Sequence, residues 1–231
     1  MINFAAIAGS LININIVSFN AVTTTGSSGG SGPTLVKTAS AITKTGTSMT
    51  GSLQSLPVNC FIITAYTDER DSSAAAPDIS DGGDGLWGQA AAAAAGSSGN
   101  VYIFTSSFAA GGTLSVTVLP SGNHASMVIY AFTGSKFGSI TTGTLKSTAT
   151  ASITPQLSGS MILCSISDYN AVTGSATYLD SPTIVLDDYE SGAYRGYHFY
   201  ETNVSNTSQN VGVSSPSNQA SGIVVFEVRT I

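Results

Sequence analysis

After Pro33 the chain is a succession of short apolar runs punctuated by Gly, Ser, Asn and Pro, and this punctuation limits what it can fold into. The runs from Cys60 to Tyr66, Val101 to Phe104, Thr113 to Leu119, Ser126 to Phe132, Met161 to Ser167, Tyr197 to Tyr200 and Gly222 to Val228 have strand length and β-rich composition. Their spacing is that of a sandwich. The single helical candidate is Ala90 to Ala95, bounded by Gln89 and Gly96. Six residues cannot sustain an isolated helix, so the run predicts at most a short turn on the sandwich edge. The fold class read from the sequence is therefore all-β.

The body also resembles itself. Pro120-Ser121 followed by Ala125-Ser126-Met127-Val128-Ile129-Tyr130-Ala131-Phe132 lines up, 96 positions on, with Pro216-Ser217 followed by Ser221-Gly222-Ile223-Val224-Val225-Phe226-Glu227-Val228. Asn59-Cys60-Phe61-Ile62-Ile63-Thr64 lines up with Ser160-Met161-Ile162-Leu163-Cys164-Ser165 at a spacing of 101. Gaps between the blocks are what changes of loop length produce. Two similar halves, about 38–138 and 139–231, predict a jelly-roll-like β-sandwich with one shared core. Trp87, Phe61, Ile63, Ile129, Phe132, Ile162, Val225 and Phe226 are its expected buried positions.

Composition narrows the function classes. Of 231 residues, 42% are hydrophobic, enough for a sizeable core, and only 9% are charged, against roughly 25% in an average domain. The polar surface is thus one of hydroxyls and amides. Seven basic against thirteen acidic residues give a formal charge of −6, with no Lys/Arg cluster, so a nucleic-acid partner is not expected. Neither a membrane span nor a secretory signal is legible, and no membrane partner is expected. Cys60 and Cys164 sit within apolar strand patterns and read as buried free thiols.

Residues 1–32 stand apart from the body, 33–231. From Ile12 the chain alternates apolar and polar through Ile14 and Ile16, changes phase at Val17 and continues through Phe19 to Ala21. That pattern predicts one or two strands with a bulge at Ile16 and Val17. Gly26-Ser27-Ser28-Gly29-Gly30-Ser31-Gly32 then forms a tether with a root-mean-square span on the order of 15 Å. Burial of the arm's apolar side chains falls short of the entropy of ordering it, so Ile12, Ile14, Ile16, Val17 and Phe19 are expected to dock by backbone pairing with a partner sheet; the alternative, which the tether also permits, is a strand added to the chain's own body.

Candidate chemistry is sparse. Gly26, Ser28 and Gly30 fit G-x-S-x-G, but a nucleophile elbow needs a strand-to-helix turn and this is a linker. Gly83, Gly85 and Gly88 fit G-x-G-x-x-G, yet Asp78-Ile79-Ser80-Asp81 before them reads as a loop, and no βαβ alternation follows. Asp78, Asp81 and Asp84 space three carboxylates among glycines and form a weak Ca²⁺ candidate; the Glu that closes an EF-hand loop is missing, a solvated turn leading into Leu86 and Trp87 is the simpler reading, and no other cofactor is implied. Asp187, Asp188 and Glu190 with Tyr189 and Tyr194 form an acidic, aromatic patch of the kind that binds sugars, although a charged loop beside core tyrosines accounts for it. His124 and His198 read as surface or strand-end histidines without acid and nucleophile partners, and no catalytic residue is assigned.

The succession Thr45-Gly46-Thr47-Ser48-Met49-Thr50-Gly51-Ser52-Leu53, an apolar strand ending Ala65-Tyr66, Gly85-Leu86-Trp87, Ala110-Gly111-Gly112-Thr113-Leu114-Ser115-Val116-Thr117-Val118 and Ser126 to Gly134 resembles β-sandwich domains recurrent in tailed-bacteriophage virion proteins. The resemblance covers about residues 38–231. It implies a non-enzymatic structural role on the particle surface. The expected protein is a capsid decoration or cement protein, oligomeric, with the major capsid protein or other virion proteins as partners. The alternative is a tail- or head-fibre adhesin that recognises host glycan through segments 67–88 or 168–196. Deleting residues 1–32 is expected to leave the melting temperature of the sandwich nearly unchanged and to abolish incorporation into particles or oligomers, as scanning calorimetry and sedimentation of the truncated protein would show.

Overall fold

The computed structural model describes residues 32–231, apart from positions 45, 47, 72–74, 83–85, 96–97, 120–123, 170, 172–173, 191 and 218–219. The arm positions Ile12 to Phe19 lie outside the described residues. Every regular element described is a strand. The first eight are β1 (Thr34–Thr43), β2 (Met49–Leu56), β3 (Cys60–Asp71), β4 (Asp78–Ser80), β5 (Gly88–Ala94), β6 (Ser98–Phe108), β7 (Gly112–Leu119) and β8 (Ala125–Thr133). The second eight are β9 (Ser135–Leu145), β10 (Ala149–Ile153), β11 (Ser160–Tyr169), β12 (Thr177–Tyr178), β13 (Thr183–Glu190), β14 (Tyr194–Val204), β15 (Gln209–Ser215) and β16 (Ala220–Thr230).

The two sets have one connectivity. The first forms a five-stranded sheet β1-β8-β3-β6-β5 and a three-stranded sheet β2-β7-β4; the second forms β9-β16-β11-β14-β13 and β10-β15-β12, all antiparallel. This is jelly-roll winding with one change: the fifth strand of each half lies in the larger sheet beside the sixth. Tight hairpins hold it there. Ala95 N donates to Gly99 O at the first, and Ala193 N to Glu190 O at the second, with Gly99 and Gly192 in the left-handed conformation that these turns require. The alanine run is therefore an edge strand, not a turn; its backbone pairs with β6 and tertiary pairing overrides alanine's helical preference. Asp78–Ser80, read as a loop, is likewise a short strand beside β7.

Each half closes its own sandwich, so there are three cores where one was expected. The first lies between the two sheets of the first half and includes Met49, Leu53, Val116, Met127 and Ile129; its counterpart in the second half includes Ile162, Cys164, Phe199, Val211 and Val225. The third lies between the two five-stranded sheets and joins Ile63, Val128, Tyr130 and Phe132 to Leu163, Val224, Phe226 and Val228. The order of layers is thus three, five, five, three strands. β5 lies over β9 and β16 as β13 lies over β1 and β8, so the halves face each other through a pseudo-two-fold, isologous contact.

Ladder register refines the internal match. On β8 and β16 the spacing of 96 is that of the structure, since Met127 and Ile223 face outer cores while Val128 and Val224 face the central one. On β3 and β11 the ladders place Phe61 opposite Phe132 and Met161 opposite Val228, a spacing of 100. The sequence match of 101 is one residue out of phase. A one-residue slip exchanges the faces of a strand, and here both faces are apolar, so hydrophobicity alone does not expose the slip. In the corrected register Asp68 corresponds to Asp168, Tyr102 to Tyr197 and Phe104 to Phe199.

Of the expected core positions, Ile63, Ile129, Phe132, Ile162, Val225 and Phe226 are fully buried. Phe61 and Trp87 are only partly buried and pack against the rims of the central and first cores. The body starts and ends at one pole. Gly32 abuts the Gly159 carbonyl, and Ile231 N donates to Gly134 O. Ile129→Ala is expected to cost about 2–5 kcal/mol in urea unfolding, because its side chain fills the space over Gly51 and the hole cannot collapse from both sheets.

Candidate functional site: a sealed polar cluster between the halves

One part of the central interface is polar. His198, at the middle of β14, bonds through Nδ1 to Ser165 Oγ (3.0 Å) and through Nε2 to Ser126 Oγ (3.1 Å) and Thr67 Oγ1 (3.3 Å). Ser126 also meets Thr67 (2.7 Å) and Tyr194 Oη (3.1 Å), and Tyr194 meets Thr67. Thr67 and Ser126 come from the first half, Ser165, Tyr194 and His198 from the second. Gly196 makes the room: a Cβ there would lie 2.2 Å from Ser126 Oγ and 2.7 Å from Thr67 Oγ1.

A histidine between serine hydroxyls resembles a base beside a nucleophile, but His198, Ser126 and Thr67 have no solvent exposure and Ser165 has 1%. Burial drives the His198 pKa down to about 3, so the ring is neutral; Nε2 joins it to the first half and Nδ1 holds it to Ser165 of its own half. The surface or strand-end reading of His198 is thus corrected: hydroxyl and glycine neighbours supply in the interior what water supplies outside. His124 does sit at a strand end, paired through Nδ1 with Glu69 (2.9 Å).

Beside the cluster the two corresponding aspartates take different partners. Asp68 accepts from Asn100 Nδ2 (3.0 Å) and from Arg70, and Ser167 Oγ bonds the Asp68 carbonyl (3.0 Å). Asp168 accepts only a long bond from Tyr197 Oη (3.3 Å), and its Oδ1 is buried with no hydrogen-bond partner. Burial pushes Asp168 up to about 7 against the pull of Tyr197 and Arg195. In each half an arginine stands over the matching tyrosine but comes from a different strand: Arg70 of β3 over Tyr102 (5.8 Å), and Arg195 of β14, which corresponds to Asn100, over Tyr197 (4.7 Å).

The acidic, aromatic patch is strand β13, not a loop. Arg195 grips Asp187 with two bonds of 2.6 Å, Tyr178 Oη donates to Asp187 (2.7 Å), Lys44 pairs with Glu190, and Tyr194 is fully buried. Burial raises Asp188 to about 6 although Lys44 opposes it. Of the segments considered for glycan, 67–88 contains the end of β3 and the short β4, and 168–196 contains β12 and β13 between the end of β11 and the start of β14. Asp78 and Asp81 flank the end of β4, and Asp84, Gly83 and Gly85 lie outside the described residues. Among the described residues no three His, Cys, Asp or Glu side chains group to hold a metal ion, and no helix is long and apolar enough to cross a membrane. Cys60 and Cys164 are free, buried in separate cores, and burial raises both thiols.

Glu227 escaped the sequence reading. It is fully buried on β16 and accepts from Ser139 N (2.8 Å), Gln156 N (2.9 Å), Leu157 N (3.2 Å) and Ser160 Oγ (2.6 Å). Burial alone would raise its pKa, but these four donors overcome it and hold the carboxylate below its usual range. Its signal in the sequence is a lone carboxylate in the run Ile223-Val224-Val225-Phe226-Glu227-Val228. Comparison with protein-family models, curated proteins and solved structures finds no match.

The buried groups predict opposite pH effects. His198 is neutral when folded and takes up a proton below 6.5 when unfolded, so its contribution is complete above that pH and is lost as pH falls toward about 3. Asp168 and Asp188 keep their protons when folded up to about 7 and 6, so theirs is complete below 3.8 and lost as pH rises through those values. Burial raises Glu201 to about 7 as well, so between about pH 4.5 and 5.5 three protons favour the folded state and one the unfolded, and unfolding free energy is expected to fall as pH rises. In His198→Gln the opposing proton is gone, so the fall should steepen by about 1.4 kcal/mol per pH unit; equal slopes in urea titrations of both proteins would contradict this.

Proposed function

We propose that the protein is a non-catalytic structural component of a virion surface, a capsid decoration or cement protein. One observation carries the reading: the side chains best suited to chemistry, His198 with Ser126, Ser165, Thr67 and Tyr194, are closed to solvent and joined across the two halves. Their polarity serves cohesion. The outer surface supports the same reading, since β2 and β7 present uncharged cross-strand hydroxyl pairs, Thr50 with Thr117 and Ser52 with Ser115 (2.8 Å each). Such a surface is inert and hydrated. The charge-free arm supplies the segment through which copies are held to the particle or to one another.

A fibre adhesin is the second reading. It is favoured by Tyr189, which remains partly exposed beside the Asp187–Arg195 pair at the edge of a five-stranded sheet, a combination suited to a sugar ring. Electron images of particles lacking the protein are expected to lose surface density, and a glycan array is expected to give no saturable signal. Unchanged particle surfaces would overturn the decoration reading, and saturable glycan binding abolished by Tyr189→Ala would establish the second.

A further inference from the structure

The larger sheets end in four edge strands, β1, β5, β9 and β13. β1 and β9 carry the guarding lysines Lys37 and Lys136, and β5 presents little beyond alanine. β13 differs. Its upper part is occupied, through Asp187 with Arg195 and Tyr178 and through Glu190 with Lys44. Its lower part, Thr183 to Leu186, is uncharged, and Ile184 is 49% exposed. Val185 and Leu186 are half-buried on the rim of the central core. Among the described residues only β14 pairs with this stretch.

An unguarded apolar edge joins whatever strand is offered. We infer that Thr183–Leu186 of β13 receives residues 12–21 of a second copy of this chain as an added strand. The segment matches the edge chemically: residues 1–36 contain no charged side chain, and Ile12, Ile14 and Ile16 alternate with Asn13 and Asn15. An added strand would bring one of its faces to Val185 and Leu186 and the other to Ile184. The place where the described chain begins also fits. Gly32 abuts Gly159 at the start of β11; Thr183 lies two strands across and, since Thr183 and Leu163 both face Tyr200, four residues along, about 16 Å in all. Residues 22–32 span roughly 18 Å root-mean-square and up to about 36 Å, far more than the two to five residues with which a hairpin returns to its own sheet. At full stretch that length reaches past the edge of its own sheet to a neighbour's. The inference rests on the assembly reading above for the presence of a second copy.

Hydrogen exchange of the full-length chain tests it, in wild type and in the double variant Ile14→Asp, Ile16→Asp, at concentrations above and below assembly. Amides of residues 184–186 are expected to exchange at least about tenfold more slowly in assembled wild type, and to lose that protection on dilution and in the variant, with β5 amides unchanged. Ile184→Lys, which guards the edge directly, is expected to give a monomer of unchanged melting temperature. Equal exchange in wild type and variant, or an Ile184→Lys protein that assembles normally, overturns the inference; protection that survives dilution to monomer also overturns it, assigning the arm to its own chain. Intact protection with no effect of the protein on particle surfaces would instead overturn the virion reading alone.

Discussion

Burial of both faces of the two five-stranded sheets is the constraint on which the rest of the molecule depends. A jelly roll covers only one face of its larger sheet with its smaller one, and the other face must find apolar surface or carry polar side chains. Here each half supplies the missing cover for the other. The sequence consequence is direct: β8, β11 and β16 are buried along almost their whole length, whereas β2 and β7 in the outer layer alternate buried and exposed positions.

That difference explains what could be read from the sequence and what could not. Six of the seven strongest strands were legible as largely apolar runs and β7 by its alternation, and the match of Ala125–Phe132 with Ser221–Val228 revealed two similar halves. The same continuity hid the register of β3 against β11, since a strand buried on both sides has no polar face to mark its phase. Short outer strands such as β4 and β12 carry two or three residues and no periodicity to detect. The alanine run misled because alanine's local preference is helical, while its small side chain also suits an edge strand lying close over β9 and β16. The polar cluster was the least legible feature. Thr67, Ser126, Ser165 and His198 come from four strands and meet only through long-range pairing, although hydroxyls inside otherwise apolar runs were visible.

Where the pseudo-symmetry fails is as informative as where it holds. By ladder register His198 corresponds to Ile103, Tyr194 to Gly99 and Ser126 to Gly222. One side of the pseudo-axis is thus filled by large hydrogen-bonding side chains. On the other side Gly99 and Gly222 allow close approach, a Cβ on Gly222 meeting the Ala94 backbone at 2.9 Å. A half paired with a copy of itself would bring two polar clusters or two glycine faces together, leaving unsatisfied hydroxyls or voids, so the asymmetry favours the pairing of unlike halves. Glu227 is a second departure, since the corresponding Ala131 is apolar; its carboxylate occupies the space above Gly138 and ties the β10–β11 connection to β9.

Both ends of the described body lie at one pole, Gly32 against Gly159 and Ile231 against Gly134. Under mechanical load this placement sets two regimes. Tension applied between those two ends would open the β1–β8 ladder from Thr34 and Thr133 one hydrogen bond at a time, like a zipper, and would meet little resistance. Tension applied between that pole and the opposite one runs along the strands and must break many bonds of several ladders together. A body held at one pole and pulled at the other is thereby a stiff strut, and the same body gripped by its two ends is a release.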